Sequence, residues 1–205
     1  MPTYRDGLKL LARACAIGLL SALGACGTFY VDSNLHDLAP SERVGVANPK
    51  PVQLLFDFQT KGASNSRARD ELVAPVTKAV QDSALFSDVG PAPAAGGALL
   101  QVTVNNVPLT DDAFARGFAV GFTFGLVGTT VGDGYVCTVD YVGAPDAAKI
   151  TKVERDAIYT SLGATASTPE HATKAKSLDE AVHLMLHKCV GNALNDLARD
   201  PAFSK

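Results

Sequence analysis

The chain has 205 residues, a formal net charge of −3 at pH 7 and an apolar fraction of 47%, which is enough sequence for one domain with a hydrophobic core. Its slightly acidic balance gives no electrostatic footprint for nucleic acid, so we expect no nucleic-acid partner. No run of about eighteen apolar residues follows the N-terminal region, so a conventional membrane-spanning helix is not expected there.

The N-terminus has the three parts of a secretory signal. Three bases stand against one acid at its start: Arg5, Lys9, Arg13 and Asp6. An apolar run over 14–23 follows, and it is about half the length of roughly twenty residues that a bilayer-spanning helix needs. The run ends in Leu23-Gly24-Ala25-Cys26.

This ending resembles the lipobox of bacterial prolipoproteins, in which a leucine and two small residues precede an acceptor cysteine. The resemblance covers residues 1–26 and implies cleavage before Cys26 and transfer of a diacylglyceryl group to its thiol. Acyl chains contribute about 0.8 kcal/mol per buried methylene, so several chains hold a protein at a membrane. Gly27, rather than aspartate, follows the cysteine, and by resemblance to enterobacterial sorting this favours the outer membrane with the protein facing the periplasm.

Three regions follow from this reading: a signal peptide over 1–25, a lipidated N-terminus and tether over 26–50, and a single periplasmic domain over 51–205. The first region carries a net charge of +2, so the mature chain carries −5. The tether is predicted because polar and proline residues interrupt every apolar cluster between residues 27 and 50.

The domain has the strand and helix pattern of an α+β fold. Strands are predicted where β-branched and aromatic residues cluster or alternate, over 52–58, 99–107, 135–142 and about 150–162. Helices are predicted over about 67–83 and 178–198, with Ser177 as N-cap of the second. The order strand-helix-strand-strand-strand-helix predicts a small mixed or antiparallel sheet with both helices packed on one face. This order resembles the N-terminal domain of TolB and related domains of Gram-negative envelope lipoproteins.

The four cysteines divide by location. Cys15 leaves with the signal peptide, and Cys26 accepts lipid. Cys137 and Cys189 remain as a single pair in an oxidising compartment. Cys137 shares a strand face with Tyr141, and Cys189 lies on the apolar stripe of the last helix, so we expect a disulfide between them. The alternative is two buried thiols that act as small hydrophobes.

The stretch 113–134 is rich in glycine and phenylalanine and is predicted to be a helix or hairpin inserted into the domain. On a helix, a glycine strip would lie beside a phenylalanine ridge, formed by Phe114, Gly117, Phe118, Gly121, Phe122 and Gly125. Three interpretations stay open: the stretch is buried against the sheet, it is a contact between copies, or it dips into the membrane beside the anchor. Its end, Gly132-Asp133-Gly134, is predicted to be a turn.

No residue pattern assigns a catalytic role, a metal site or a cofactor. His183 and His187 have metal-ligand spacing, but Leu184 replaces the glutamate of H-E-x-x-H, so we predict two histidines beside a core stripe. Glu154 and Asp156 share a strand face near basic residues, which indicates a solvated surface. The chain has no nucleophile-elbow, phosphate-loop or dinucleotide motif, so we expect a protein that is not an enzyme.

The expected function is that of a lipid-anchored periplasmic envelope component that binds another envelope protein or forms a homo-oligomer. The alternative is a periplasmic carrier of a small apolar ligand or lipid, with the phenylalanines of the glycine-rich stretch lining its pocket. The first predicts an exposed apolar patch near 114–131, whereas the second predicts a closed cavity there.

Overall fold

A computed structural model describes residues 27–109, 130–162 and 168–203. These residues form an eight-stranded sheet, two α-helices and a short 3₁₀ turn at Pro40–Glu42. The strands are β1 (Gly27–Asp32), β2 (Lys50–Thr60), β3 (Ala63–Ser64), β4 (Phe86–Gly90), β5 (Leu99–Leu109), β6 (Thr130–Val142), β7 (Ile150–Leu162) and β8 (Ala172–Ala175). The helices are α1 (Ser66–Asp82) and α2 (Leu178–Ala198).

The strand order is β3-β2-β5-β6-β7-β1-β8, and β4 also pairs with β2. β2 runs parallel to β4 and β5, and the other pairs are antiparallel. The predicted α+β class and mixed sheet are therefore confirmed, although the sheet is larger than expected because β1, β3, β4 and β8 add to the four predicted strands. The packing of both helices on a single face stays a prediction.

Alternating side chains of the central strands form the core together with the helices. β5 shows the two-residue period: Leu100, Val102 and Val104 are buried, while Gln101 between them is exposed. α1 contacts β2 and β4, α2 contacts β7, β6 and β1, and the two helices contact each other. One continuous apolar cluster therefore links the sheet to both helices.

The predicted ends of β7 and α2 agree with the structure. Ser177 caps α2, because its hydroxyl accepts a hydrogen bond from the backbone N–H of Glu180 at 3.1 Å. Asp179 and Glu180 lie in the first turn, where negative charge suits the helix dipole. Local capping and periodicity were enough to place this helix.

Residues 27–50 differ from the predicted tether. Gly27–Asp32 form β1, which pairs with β7 on one side and β8 on the other. Val31 and Leu38 are buried. The polar residues that suggested a tether lie in a segment whose backbone groups are hydrogen-bonded to side chains of α2, so polarity there does not mean separation from the domain.

The predicted turn at Gly132-Asp133-Gly134 is wrong, because these residues lie within β6. Gly132 pairs with Leu109 on one side and Tyr159 on the other. A Cβ atom at Gly132 would lie 3.1 Å from Leu109 Cδ1 and 3.4 Å from Tyr159 Cδ1. The glycine therefore makes room for neighbouring side chains, and β6 begins at Thr130, inside the predicted insertion 113–134.

Candidate functional site

Four strand termini meet at one end of the sheet. Gly27, the first residue of β1, pairs with Leu162, the last residue of β7. The first residue of β6, Thr130, pairs with Ser161, and β5 ends at Leu109 opposite Gly132. We call this region the anchor end, because the predicted lipid acceptor Cys26 immediately precedes Gly27.

The residues predicted for processing and for the glycine strip lie outside the described ranges. They are Leu23, Gly24, Ala25, Cys26, Phe114, Gly117, Phe118, Gly121, Phe122 and Gly125. The neighbouring described residues nevertheless locate their attachment points. The described chain stops at Leu109 and resumes at Thr130, so the glycine-rich stretch is attached at the anchor end on both sides.

Residues 33–46, which we call the strap, lie along α2. Asn195 of α2 is buried; its Oδ1 accepts from the backbone N–H of Val44 at 2.8 Å, and its Nδ2 donates to the Glu42 carbonyl at 3.2 Å. Asn192 Nδ2 donates to another strap carbonyl at 3.0 Å. Side chains of α2 thus replace the strand partners that the strap backbone lacks.

The strap also contacts α1. Arg43 Nη1 donates to the Asp82 carbonyl at the last residue of α1, at 2.8 Å. Apolar side chains complete the contact, because Leu35, Val44 and Val46 pack against the main core. The strap is therefore held by both helices and by the hydrophobic core.

A largely buried lysine joins the strap, β1 and β7. Lys188 of α2 donates to the backbone carbonyls of Asp32 and Leu35, the latter at 3.0 Å, and its Nζ lies 3.0 Å from Asp156 Oδ2. The Lys188 side chain is 11% exposed and Asp156 is fully buried. The other Asp156 oxygen accepts from the N–H of Ala157 at 2.8 Å.

Burial raises the pKa of Asp156 to about 7, and the nearby Lys188 ammonium opposes that rise. The sequence-based prediction of a solvated face is wrong for this residue, because the side chain that covers it comes from a helix distant in sequence. Its neighbour on the same face, Glu154, is half-buried, and burial followed by the Asp196 charge raises its pKa as well. Strand periodicity identified the shared face but not what lies on it.

At the end of β1, Asp32 forms a second polar contact. Its Oδ2 accepts from the Tyr159 hydroxyl at 2.9 Å, and its Oδ1 accepts from the Asn34 backbone N–H at 2.6 Å. Burial, and then the Asp32 charge, raise the pKa of Tyr159, so it stays a neutral donor. Asp32 therefore fixes the turn from β1 into the strap.

The two predicted histidine positions lie beside acids. His187 Nδ1 lies 3.1 Å from Asp37 Oδ1 of the strap, and His183 Nδ1 lies 3.8 Å from Asp179 Oδ2. Within the described ranges, no three metal-capable side chains come together. The same part of the chain also holds no helix long and apolar enough to cross a membrane.

The predicted disulfide is present in the structure. Cys137 of β6 and Cys189 of α2 are bonded, with their Cα atoms 6.0 Å apart, and both residues are fully buried. The bond fixes the centre of α2 on the sheet, one residue after Lys188. It therefore supports the helix surface that holds the strap.

A groove of about 730 Å³ lies between α1 and α2. Apolar side chains, among them Pro75 and Leu184, line it together with charged and polar ones. The lining includes two charged pairs, Lys78–Asp82 at 2.8 Å and Lys176–Glu180 at 3.6 Å. Nothing in the sequence pattern pointed to this groove, because it forms between two helices that are about a hundred residues apart.

No protein-family model matches the chain, and no curated protein matches it. Two similar solved structures are PelC dodecamers from Paraburkholderia phytofirmans. The first, a PelC variant, is 13% identical with a TM-score of 0.37, covering 85% of this chain and 99% of that one. The second is 12% identical with a TM-score of 0.37, covering 82% and 96%.

A third similar structure is a candidate lipoprotein from Caulobacter crescentus CB15. It is 15% identical with a TM-score of 0.27, covering 72% of this chain and 82% of that one. Likenesses with such low TM-scores do not assign an assembly or a function to this chain. The resemblance to TolB domains stays a prediction.

Proposed function

We propose that this chain is a lipid-anchored periplasmic component of the bacterial envelope, attached to the outer membrane through acyl groups on Cys26. The supporting observation is the continuity between Cys26 and β1, because the first strand residue is Gly27. Acyl groups on Cys26 would then be attached to the sheet itself and would fix the folded domain close to the membrane surface.

We further propose that the protein acts by binding and not by catalysis. The strongly perturbed carboxyl group, Asp156, contacts Lys188 and a backbone N–H, and Lys188 in turn binds two backbone carbonyls. These groups hold the strap in place, which accounts for their burial without a substrate. The proposed partner is another envelope protein or a second copy of this chain.

Self-association through the glycine-rich stretch is the form of this proposal that is easiest to test. Both attachment points of the stretch, Leu109 and Thr130, lie at the anchor end. Copies anchored in one membrane would hold their glycine-rich stretches at the same distance from the membrane surface. Gly117, Gly121 and Gly125 would then permit close backbone approach between copies. The alternative sites for the stretch, against its own sheet or in the lipid, are outcomes of the same test.

Light scattering and crosslinking of the lipidated protein in detergent provide the test. We expect an oligomeric wild type, a monomeric but folded Gly121→Leu variant and an oligomeric Gly45→Leu control. Gly45 is a suitable control because it is exposed and a Cβ there meets nothing within 4 Å. A wild type that is monomeric at every concentration, or a Gly121→Leu variant that still associates, would contradict self-association.

The groove between the helices supports the second candidate, a carrier of a small apolar ligand. Its volume of about 730 Å³ lies within the range of about 300–1,000 Å³ that is typical of ligand pockets. Leu184→Glu places a charge in the groove, and Val153→Glu places one on an equally exposed site elsewhere. An apolar fluorescent probe should lose binding only with the first variant; equal binding to both would contradict the carrier function.

A further inference from the structure

We infer that the anchor end of the sheet is a lipid-contacting surface, with Val131 and Leu178 against the bilayer and the opposite end of the sheet turned towards the periplasm. The inference rests on the proposed acylation of Cys26. It goes further by assigning a fixed orientation to the domain and naming the side chains that touch lipid.

Strand register brings these residues together. Val131 of β6 pairs with Thr160 of β7, Thr160 pairs with Phe29 of β1, and Phe29 pairs with Ala175 of β8. This row spans three interstrand spacings, which amounts to about 14 Å. Leu178 begins α2 three residues after Ala175.

The predicted lipid acceptor is close to this row in sequence. Cys26 is three residues before Phe29, and three residues of chain reach at most about 10 Å. β8 runs antiparallel to β1 and therefore approaches the anchor end at its last residue, Ala175. The continuation of β8 into Leu178 thus brings the start of α2 close to the level of Gly27.

The exposure of the apolar side chains supports a lipid partner. Six large apolar residues are exposed in the described ranges: Leu55, Val73, Val131, Val153, Leu178 and Leu184. Val131, at 55%, and Leu178, at 49%, are the most exposed of them. Both lie at the anchor end, where a bilayer would remove them from water.

The charged side chains near Leu178 do not form a basic patch that would recognise anionic lipid headgroups. They favour an apolar contact that any phospholipid can provide. The exposed Lys174 and Lys176 are offset by Asp179 and Glu180, and Lys176 Nζ lies 3.6 Å from Glu180 Oε1. The charges nearest Leu178 therefore balance. We expect contact with zwitterionic vesicles to be as strong as contact with anionic ones.

The opposite end of the sheet provides a matched control. β7 is 13 residues long, so its two ends are separated by about 40 Å. Ala148 lies in the turn that precedes β7 and is exposed. If the anchor end meets the bilayer, a probe at Ala148 stays far from the acyl chains.

The test uses the mature lipidated protein carrying one added cysteine, as Leu178→Cys, Val131→Cys or Ala148→Cys, labelled with a fluorophore. The native thiols do not interfere, because Cys137 and Cys189 are bonded, while under the proposal Cys15 is removed with the signal peptide and Cys26 is acylated. Each protein is reconstituted into phosphatidylcholine vesicles with or without brominated acyl chains, which quench nearby fluorophores. Intact-mass measurement and vesicle flotation report acylation and attachment separately.

We expect bromine quenching at positions 178 and 131 and little quenching at 148. Quenching at 178 should be lost when Cys26→Ala, in a chain produced without residues 1–25, removes the anchor. Two results would overturn the orientation and leave the anchoring intact, in protein that is acylated and floats with the vesicles. One is equal quenching at positions 178 and 148, and the other is no quenching at 178. Protein that carries no acyl mass and does not float would overturn the proposed function, and the orientation with it.

Discussion

Replacing Lys188 with methionine removes the charge that joins α2 to β7 and the strap. The side chain that remains fills a similar volume, but the fully buried Asp156 loses the ammonium 3.0 Å from its Oδ2. Breaking a buried ion pair from one side costs about 3–5 kcal/mol, because the remaining charge is left without compensation. We therefore expect Lys188→Met to lower the free energy of unfolding by about that amount at pH 8.

The pH dependence tests the cause of this loss. The pKa of Asp156 in the folded protein is about 7, above the ordinary aspartate value of about 3.9. The folded state therefore holds this proton more firmly, and the contribution of Asp156 to stability falls as pH rises from about 4 to 7. Lys188 lowers this pKa, so Lys188→Met raises it and extends the fall above pH 7.

Urea unfolding between pH 5 and 9, followed by circular dichroism, measures both effects. Asp156→Asn is the control, because it removes the titrating carboxyl and should flatten this part of the profile. The reasoning is refuted if Lys188→Met costs less than about 1 kcal/mol at pH 8, or if its stability profile runs parallel to that of the wild type between pH 7 and 9.

Three further predictions concern the strap, the disulfide and two glycines. Cys137→Ala combined with Cys189→Ala removes a crosslink between residues 52 positions apart. The double variant should have a free energy of unfolding, measured in urea, that is lower by about 4 kcal/mol. Two alkylatable thiols in the non-reduced wild type would contradict the bond. Asn195→Ala leaves the Val44 N–H without its partner. It should lower the free energy of unfolding by about 1–3 kcal/mol and speed hydrogen exchange at Val44. Asn192→Ala should lower it less, because the bond of Asn192 to the strap is exposed. Gly191→Ala should stabilise α2 by about 0.5–1 kcal/mol, because a Cβ there meets nothing within 4 Å. Gly132→Ala should destabilise the fold, because its Cβ would lie 3.1 Å from Leu109 Cδ1. Melting temperatures that change in the same direction in both variants would contradict this contrast.

Local patterns were sufficient where an element is defined by its own residues. The approximate ends predicted for the last helix, 178 and 198, agree with the structure because Ser177 caps it and its apolar stripe runs without interruption. β7 was placed from its length and turn signals in the same way. The disulfide could also be predicted, since the compartment left one pair of cysteines and each lay on an apolar face.

The missed features depend on partners far along the chain. β1 has only six residues, and its Tyr30 pairs with Tyr159 of β7. A short apolar segment followed by polar residues has the same local pattern as a tether, so only the pairing distinguishes them. Asp156 was placed on a solvated face for the same reason, because its burial depends on Lys188 of α2.

Gly132 shows a different kind of error. Glycine on both sides of an aspartate indicates a turn when the residue is considered with its sequence neighbours alone. Here the glycine gives room to the side chain of Leu109 on the adjacent strand, whose Cδ1 would lie 3.1 Å from an added Cβ. A close approach between strands and a turn give the same local signal.

Intact-mass analysis of the N-terminal peptide, from protein extracted out of native membranes, tests the central claim most directly. The account predicts a chain that begins at Cys26 and carries the added mass of acyl groups, and a Cys26→Ala variant that carries none. A wild-type chain that retains residues 1–25, or that begins at an unmodified Cys26, would contradict lipid anchoring.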